Sequence, residues 1–219
     1  MPPIRLALAL SMALAAAGGD APRATTPPFN GRDLEGWTRF GGKPEAWAVE
    51  DGMLVSLGEG GGWLGTTREY GDFDLTLEFR VAPGANSGVY LRAPADTTHI
   101  SRTGMEIQIL DDHAERYKTL KPWQLTGALY HVAAPAPGHL KPTGEWNRMA
   151  ISLEGTHLVV TLNGATVVDD RLDAHPDLAR EHPGLSRRSG RIGIQSHNGR
   201  VEFRNVAITE KAKATAEER

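Results

Sequence analysis

The 219 residues include no cysteine, which excludes disulfides, thiolate catalysis, thiolate metal sites and a lipid-modified N-terminal cysteine. Basic excess is lacking too: 24 Lys and Arg face 27 Asp and Glu, a net charge of -3 with both signs scattered. Without a basic stripe, nucleic acid and anionic membrane are poor partners. Long apolar runs are missing apart from Leu6–Ala17, which is too short to span a bilayer. Preceded by Arg5 and ending in small residues, that run reads as a secretory signal peptide over residues 1–17, so the expected location is periplasmic or secreted. A Pro/Gly/Thr-rich linker follows over residues 18–28, and the chain ends in a charged tail over residues 210–219. The roughly 200 residues between the leader and the end suffice for one self-supporting core and one domain, residues 29–209.

Helical periodicity is nearly absent between residues 29 and 208. Segment Asp72–Val81 alternates, with Phe73, Leu75, Leu77, Phe79 and Val81 on one face and Asp74, Thr76, Glu78 and Arg80 on the other. Glu145–Glu154 behaves likewise. Asp51-Gly52 and Asn163-Gly164 sit between such segments and suit type I′ turns, where both central residues need φ > 0. Asn198-Gly199 marks a third turn. About ten strands with Gly/Pro turns predict an all-β, antiparallel sandwich, with short helix confined to Asp173–Arg180.

Several catalytic patterns are also missing. No G-x-S-x-G elbow is present. Gly58–Gly62 lacks the Lys-Ser/Thr of a phosphate loop, no histidine pair has zinc spacing, and no calcium loop is legible.

What remains is a set of polar groups repeating on one strand face. In Met105–Leu110 the residues Glu106 and Gln108 oppose Met105, Ile107 and Ile109. In Asn86–Arg92 the residues Tyr90 and Arg92 oppose Val89 and Leu91. Alternation places such groups together on a solvated face, as in a sugar cleft. Gln195 and His197 repeat the arrangement near the C-terminus, and Trp123 is the tryptophan best placed to stack on a sugar ring. Glu106 and Asp111 could act as the paired carboxylates of a glycosidase, but five residues apart on a strand they face opposite ways unless a bulge intervenes. On pattern alone, Glu106 is equally a solvated outward residue, and Asp111-Asp112 equally the start of a loop.

Taken in order, Phe29–Trp37 (FNGRDLEGW), Trp47–Leu54 (WAVEDGML), Tyr70–Arg80, Asn86–Arg92, Met105–Asp111, Thr126–Tyr130, Gly144–Asn147, Gly193–His197 and Val201–Val206 resemble the 3-keto-disaccharide hydrolase family. The same family is described as 3-keto-glucoside lyase/hydratase domains. The resemblance covers about residues 29–209 and implies a concanavalin A-like jelly roll acting on glycosides oxidised at C3. A C3 ketone acidifies the C2 proton, so a base can remove it and the enolate can expel the C1 aglycone, with or without rehydration. Among the matched residues, Glu106 and His197 are candidate base or acid, and Arg92 the oxyanion holder. Gln108, Tyr90, Asn86, Tyr130, Gln195 and Trp123 are candidate substrate contacts. A divalent cation could replace Arg92 electrophilically, but no ligand set is legible. Two other readings stay open at this point: a carbohydrate-binding module without turnover, and a two-carboxylate glycosidase.

Overall fold

The structure is a computed structural model that describes residues 28–212. The expected leader, the linker up to residue 27 and residues 213–219 of the tail lie outside them. Twelve strands follow in chain order: β1 Trp37–Phe40, β2 Trp47–Glu50, β3 Met53–Ser56, β4 Trp63–Thr66, β5 Phe73–Val81 and β6 Asn86–Ala93, then β7 Met105–Leu110, β8 Asn147–Glu154, β9 His157–Leu162, β10 Ala165–Arg171, β11 Arg191–Gln195 and β12 Val201–Glu210. One short helix, α1 (Ile100–Thr103), precedes β7. No helix among the described residues is long and apolar enough to cross a membrane.

The strands form two antiparallel sheets, in the orders β1-β4-β11-β6-β7 and β10-β9-β8-β5-β12-β3-β2. The all-β antiparallel sandwich expected from the alternation is what forms. Phe73, Leu75, Leu77, Phe79 and Val81 of β5 pack with Met149, Ile151 and Leu153 of β8 and with Val89, Leu91, Met105, Ile107 and Ile109 of the smaller sheet in one core. Asp51-Gly52 and Asn163-Gly164 close the hairpins β2–β3 and β9–β10 with positive φ at both central residues.

Asn198-Gly199 does something else. β11 belongs to the smaller sheet and β12 to the larger, so this dipeptide turns the chain from one layer into the other. Asn198 exchanges backbone hydrogen bonds with Asn86 there, and a Cβ on Gly199 would stand 2.8 Å from Ala85 Cα. The region expected to be helical holds two single 3₁₀ turns, Leu172–Ala174 and Leu178–Arg180, and a third follows at Pro183–Ser186.

Candidate active site

The outer face of the smaller sheet carries the polar groups. Register places Glu106 of β7 opposite Tyr90 of β6, and Tyr90 opposite Gly193 of β11. On the other side of β7, the Tyr130 N–H donates to the Glu106 carbonyl at 2.9 Å, while Leu129 bridges to Ile107 and enters the core. Gly193, Tyr90, Glu106 and Tyr130 therefore form one row across the sheet, with the Cβ atoms of the last three roughly 5 Å from their neighbours. In the next row Gly88 opposes Gln108.

Glycines give this face its depth. A Cβ on Gly88 would stand 2.3 Å from Glu106 Oε1, and one on Gly193 would stand 2.3 Å from the Trp63 ring. Gly65 meets the same indole at 2.4 Å. Trp63 thus lies against bare backbone, stacked on Phe40 with centroids 4.4 Å apart and meeting Tyr90 edge-on at 5.7 Å. Its indole N–H donates to the Asp96 carbonyl at 2.9 Å.

Glu106 is 3% exposed. Burial, with no counter-charge to offset it, pushes its carboxyl up to about 8. Tyr90 is held above the ordinary phenol range, first by burial and then by the adjacent Glu106 charge. Its oxygen accepts from Gln195 Nε2 at 2.6 Å, which leaves the phenolic proton free to donate. A raised carboxyl beside an un-ionised phenol gives one group that takes a proton and one that steadies an oxyanion.

Not every expected residue joins this row. Arg92 does not share Tyr90's face. Arg191 pairs with Ala93 but Gly193 with Tyr90, so β6 carries an extra residue there. Arg92 sits at φ +44° in this bulge. The extra residue turns Arg92 inward and returns Ala93 to the side of Tyr90 and Trp63. Fully buried, its guanidinium donates to the carbonyls of Gly71, Gly155 and Arg187 and pairs with Asp72 at 2.9 Å, so it ties loops together.

His197 lies past the end of β11, exposed, with Nδ1 at 3.1 Å from Asn198 Oδ1. Asn86 opposes Leu110, four positions along β6 from Tyr90, roughly 13 Å at strand rise. Neither is brought to Glu106. Gln108 folds its side-chain oxygen onto the Ile109 N–H at 3.0 Å.

Asp111 is occupied elsewhere, accepting from the Gly84 N–H at 2.8 Å and the Thr143 hydroxyl at 2.6 Å. Register through β7 is unbroken, so the bulge needed to pair Asp111 with Glu106 is not there. Among the described residues no three His, Asp or Glu side chains cluster as metal ligands. The groups beside Glu106 are phenols and amides, and a single carboxylate supplies little of the negative charge that a strong divalent-cation site uses.

Trp123 does reach the site's edge, meeting Tyr130 edge-on at 5.7 Å and stacking on His131 at 4.3 Å. The His131 ring lies 5.5 Å from His182. These two histidines and Trp63 carry no sequence signal of their own: the histidines lie in irregular segments with no ligand spacing, and Trp63 follows a glycine run.

Comparison with known proteins gives the family. The family described as 3-keto-alpha-glucoside-1,2-lyase-like domain matches residues 24–209. A 3-keto-disaccharide hydrolase of Bacteroides thetaiotaomicron is 26% identical over 82% of this chain and 76% of its own length. A solved structure from Parabacteroides distasonis, provisionally named a glycosyl hydrolase, is 31% identical with a TM-score of 0.74, covering 86% of this chain and all of that one. The carbohydrate-binding module CBM66 of Bacillus subtilis shares the fold at 15% identity and a TM-score of 0.51, over 78% of this chain and 93% of its own.

Proposed function

Because the chain belongs to the 3-keto-alpha-glucoside-1,2-lyase-like domain family, we propose that it cleaves glycosides oxidised at C3 by removing the C2 proton and eliminating the C1 substituent. The observation that carries this reading is Glu106. It is a buried carboxyl without a counter-charge, set in a row between two tyrosines on an outer sheet face. A carboxylate made more basic by burial matches proton abstraction from carbon better than it matches simple sugar binding.

In the proposed reaction the Glu106 carboxylate takes the C2 proton, and the C–H electron pair moves to the C3 oxygen as an enolate. Tyr90, its phenol oxygen already engaged by Gln195, donates its proton as a hydrogen bond to that oxygen. The enolate then re-forms the ketone, the C1–O bond breaks and C1=C2 forms. Water adding across C1=C2, with the C2 proton returned by Glu106, completes net hydrolysis. Glycosidase chemistry with two carboxylates loses its candidate second carboxylate, since Asp111 is committed to Gly84 and Thr143.

Oxidation at C3 should be indispensable. With 3-keto-trehalose the protein is expected to release sugar and to wash C2 deuterium into solvent, and with trehalose to do neither. Equal turnover of the two sugars sinks the elimination reading, and binding of either without turnover makes this a binding module.

Gly88→Ala probes the same geometry from below. The residue's φ is not positive, so the methyl strains no backbone, but it occupies the space of Glu106 Oε1. A shift of roughly 1 Å in a catalytic group costs about 10² in rate. Turnover is expected to fall by that order while the unfolding midpoint changes little. Unchanged turnover would show that the position of Glu106 does not matter.

A further inference from the structure

The two flanks of Glu106 are chemically different, and the reaction has use for both. On one side stand Tyr90 and Gln195. On the other stand Tyr130, Trp123, His131 and, behind them, His182. In a sugar ring C2 is bonded to C1 and to C3, which lie on opposite sides of it. A substrate with its C2 proton over Glu106 and its C3 oxygen at Tyr90 therefore directs C1 and its substituent toward Tyr130 and His131.

We propose that His131 is the acid–base group at C1, protonating the departing glycosidic oxygen and deprotonating the water that later adds, with His182 as its positioning residue. This inference rests on the function proposed above and assigns the half of the reaction that Glu106 does not serve.

Three observations support it. His131 is held at φ +67°, a left-handed conformation that a side-chain-bearing residue adopts only against steric cost. Regular alternation after Tyr130 would send its side chain toward the core. The left-handed turn returns the ring to within 4.4 Å of Tyr130 and onto Trp123 instead. Second, His182 is 4% exposed and its Nδ1 has no hydrogen-bond partner. A buried ring nitrogen left open faces a cost unless something completes it. Third, the segment carrying His182 is fixed tightly, since a Cβ on Gly184 would stand 1.6 Å from the Gly104 carbonyl oxygen, two residues before Glu106.

The proton inventory agrees. Burial, then His182 and Arg102, lower the His131 pKa, while burial raises that of Glu106. His182 is lowered by burial and Arg102, with Glu181 opposing. At neutral pH the resting protein thus keeps a proton on Glu106 and none on His131. That is the form that deprotonates water at C1 and returns a proton to C2. Elimination uses its tautomer, with the proton on His131.

Leaving-group dependence tests the assignment. Asparagine tolerates positive φ, so His131→Asn keeps the turn and removes the imidazole. A 3-keto-disaccharide expels a basic sugar alkoxide that needs a proton, whereas 3-keto-p-nitrophenyl glucoside expels a stable nitrophenolate that does not. His131→Asn is expected to lose about 10²–10⁴ in rate on the disaccharide and less than about tenfold on the nitrophenyl substrate. His182→Phe, which keeps an aromatic ring but no nitrogen, should show the same selectivity with a smaller loss. Equal losses on both substrates, or no loss on the disaccharide, overturn the proposal. If the wild-type protein neither turns over the two 3-keto substrates nor exchanges C2 deuterium, the underlying function is what has failed.

Discussion

Glu106→Gln is expected to lower the rate of C2 deuterium exchange by about 10²–10⁴, the range general-base catalysis supplies, while 3-keto-sugar still binds. The amide keeps the shape of the side chain beside Tyr90 and over Gly88, so what is lost is the titrating group. Exchange needs only the base, not departure of the C1 group. Its pH profile in the wild-type protein should therefore climb about tenfold per unit and level off near pH 8, the value to which burial raises Glu106. Tyr90 and Tyr130 are the titratable groups beside it, and Tyr90 is held above its ordinary range by burial. Stability should move the opposite way. Between the ordinary glutamate value and about 8, the folded chain keeps a proton that the unfolded chain has released. Raising pH across that window therefore costs the wild-type protein stability, and above it the loss is complete. Glutamine does not titrate, so the variant gains on the wild type as pH rises to 8. Undiminished exchange by Glu106→Gln would remove Glu106 from the mechanism.

Arg92→Met is expected to destabilise the fold by about 3–5 kcal/mol, the cost of breaking a buried ion pair from one side. The change strands the carbonyls of Gly71 and Arg187, leaves that of Gly155 only a long contact to Arg188, and takes from Asp72 its ion-pair partner while the Gly155 N–H still donates to it. Asp72 is 29% exposed, so water will relieve part of this and the lower end is the better guide. Lysine should recover only a fraction, because a point charge cannot reach all four acceptors as the planar fork does. Urea unfolding would show a lowered midpoint with an unchanged slope. At temperatures where the variant remains folded, turnover per folded molecule should stay within a few-fold of the wild type. Normal stability with abolished turnover would return Arg92 to the reacting atoms.

Arg92 also shows where the sequence stops being legible. Strict alternation put it on Tyr90's face, and for Tyr90, Glu106 and Gln108 alternation held, because their strands keep register. A bulge at an arginine leaves no residue signature, since left-handed φ is announced in sequence by glycine or asparagine. Asp51-Gly52 and Asn163-Gly164 were readable for that reason, and His131 was not. Asn198-Gly199 looked like the other two because the residues that make a tight turn also suit a change of sheet. His182 is brought to the site by single 3₁₀ turns packed on Gly104, and no periodicity encodes such a placement. The strand glycines Gly65, Gly88 and Gly193 were visible but mute. A missing side chain acquires meaning only once the group that fills its place is known.

The single extra residue in β6 divides that strand into two halves with separate tasks. Residues before it, Gly88 and Tyr90, lie beside Glu106, while Arg92 within it ties loops together. Changes in the first half alter the row beside Glu106 and leave the fastening untouched, and changes that strengthen the fastening leave that row alone. Deleting one residue at the bulge would fuse the halves: either Arg92 is thrown outward into the row beside Tyr90, or Tyr90 is driven into the core. For anyone redesigning this protein, β6 is two parts sharing one backbone, and the joint between them is the place to leave alone.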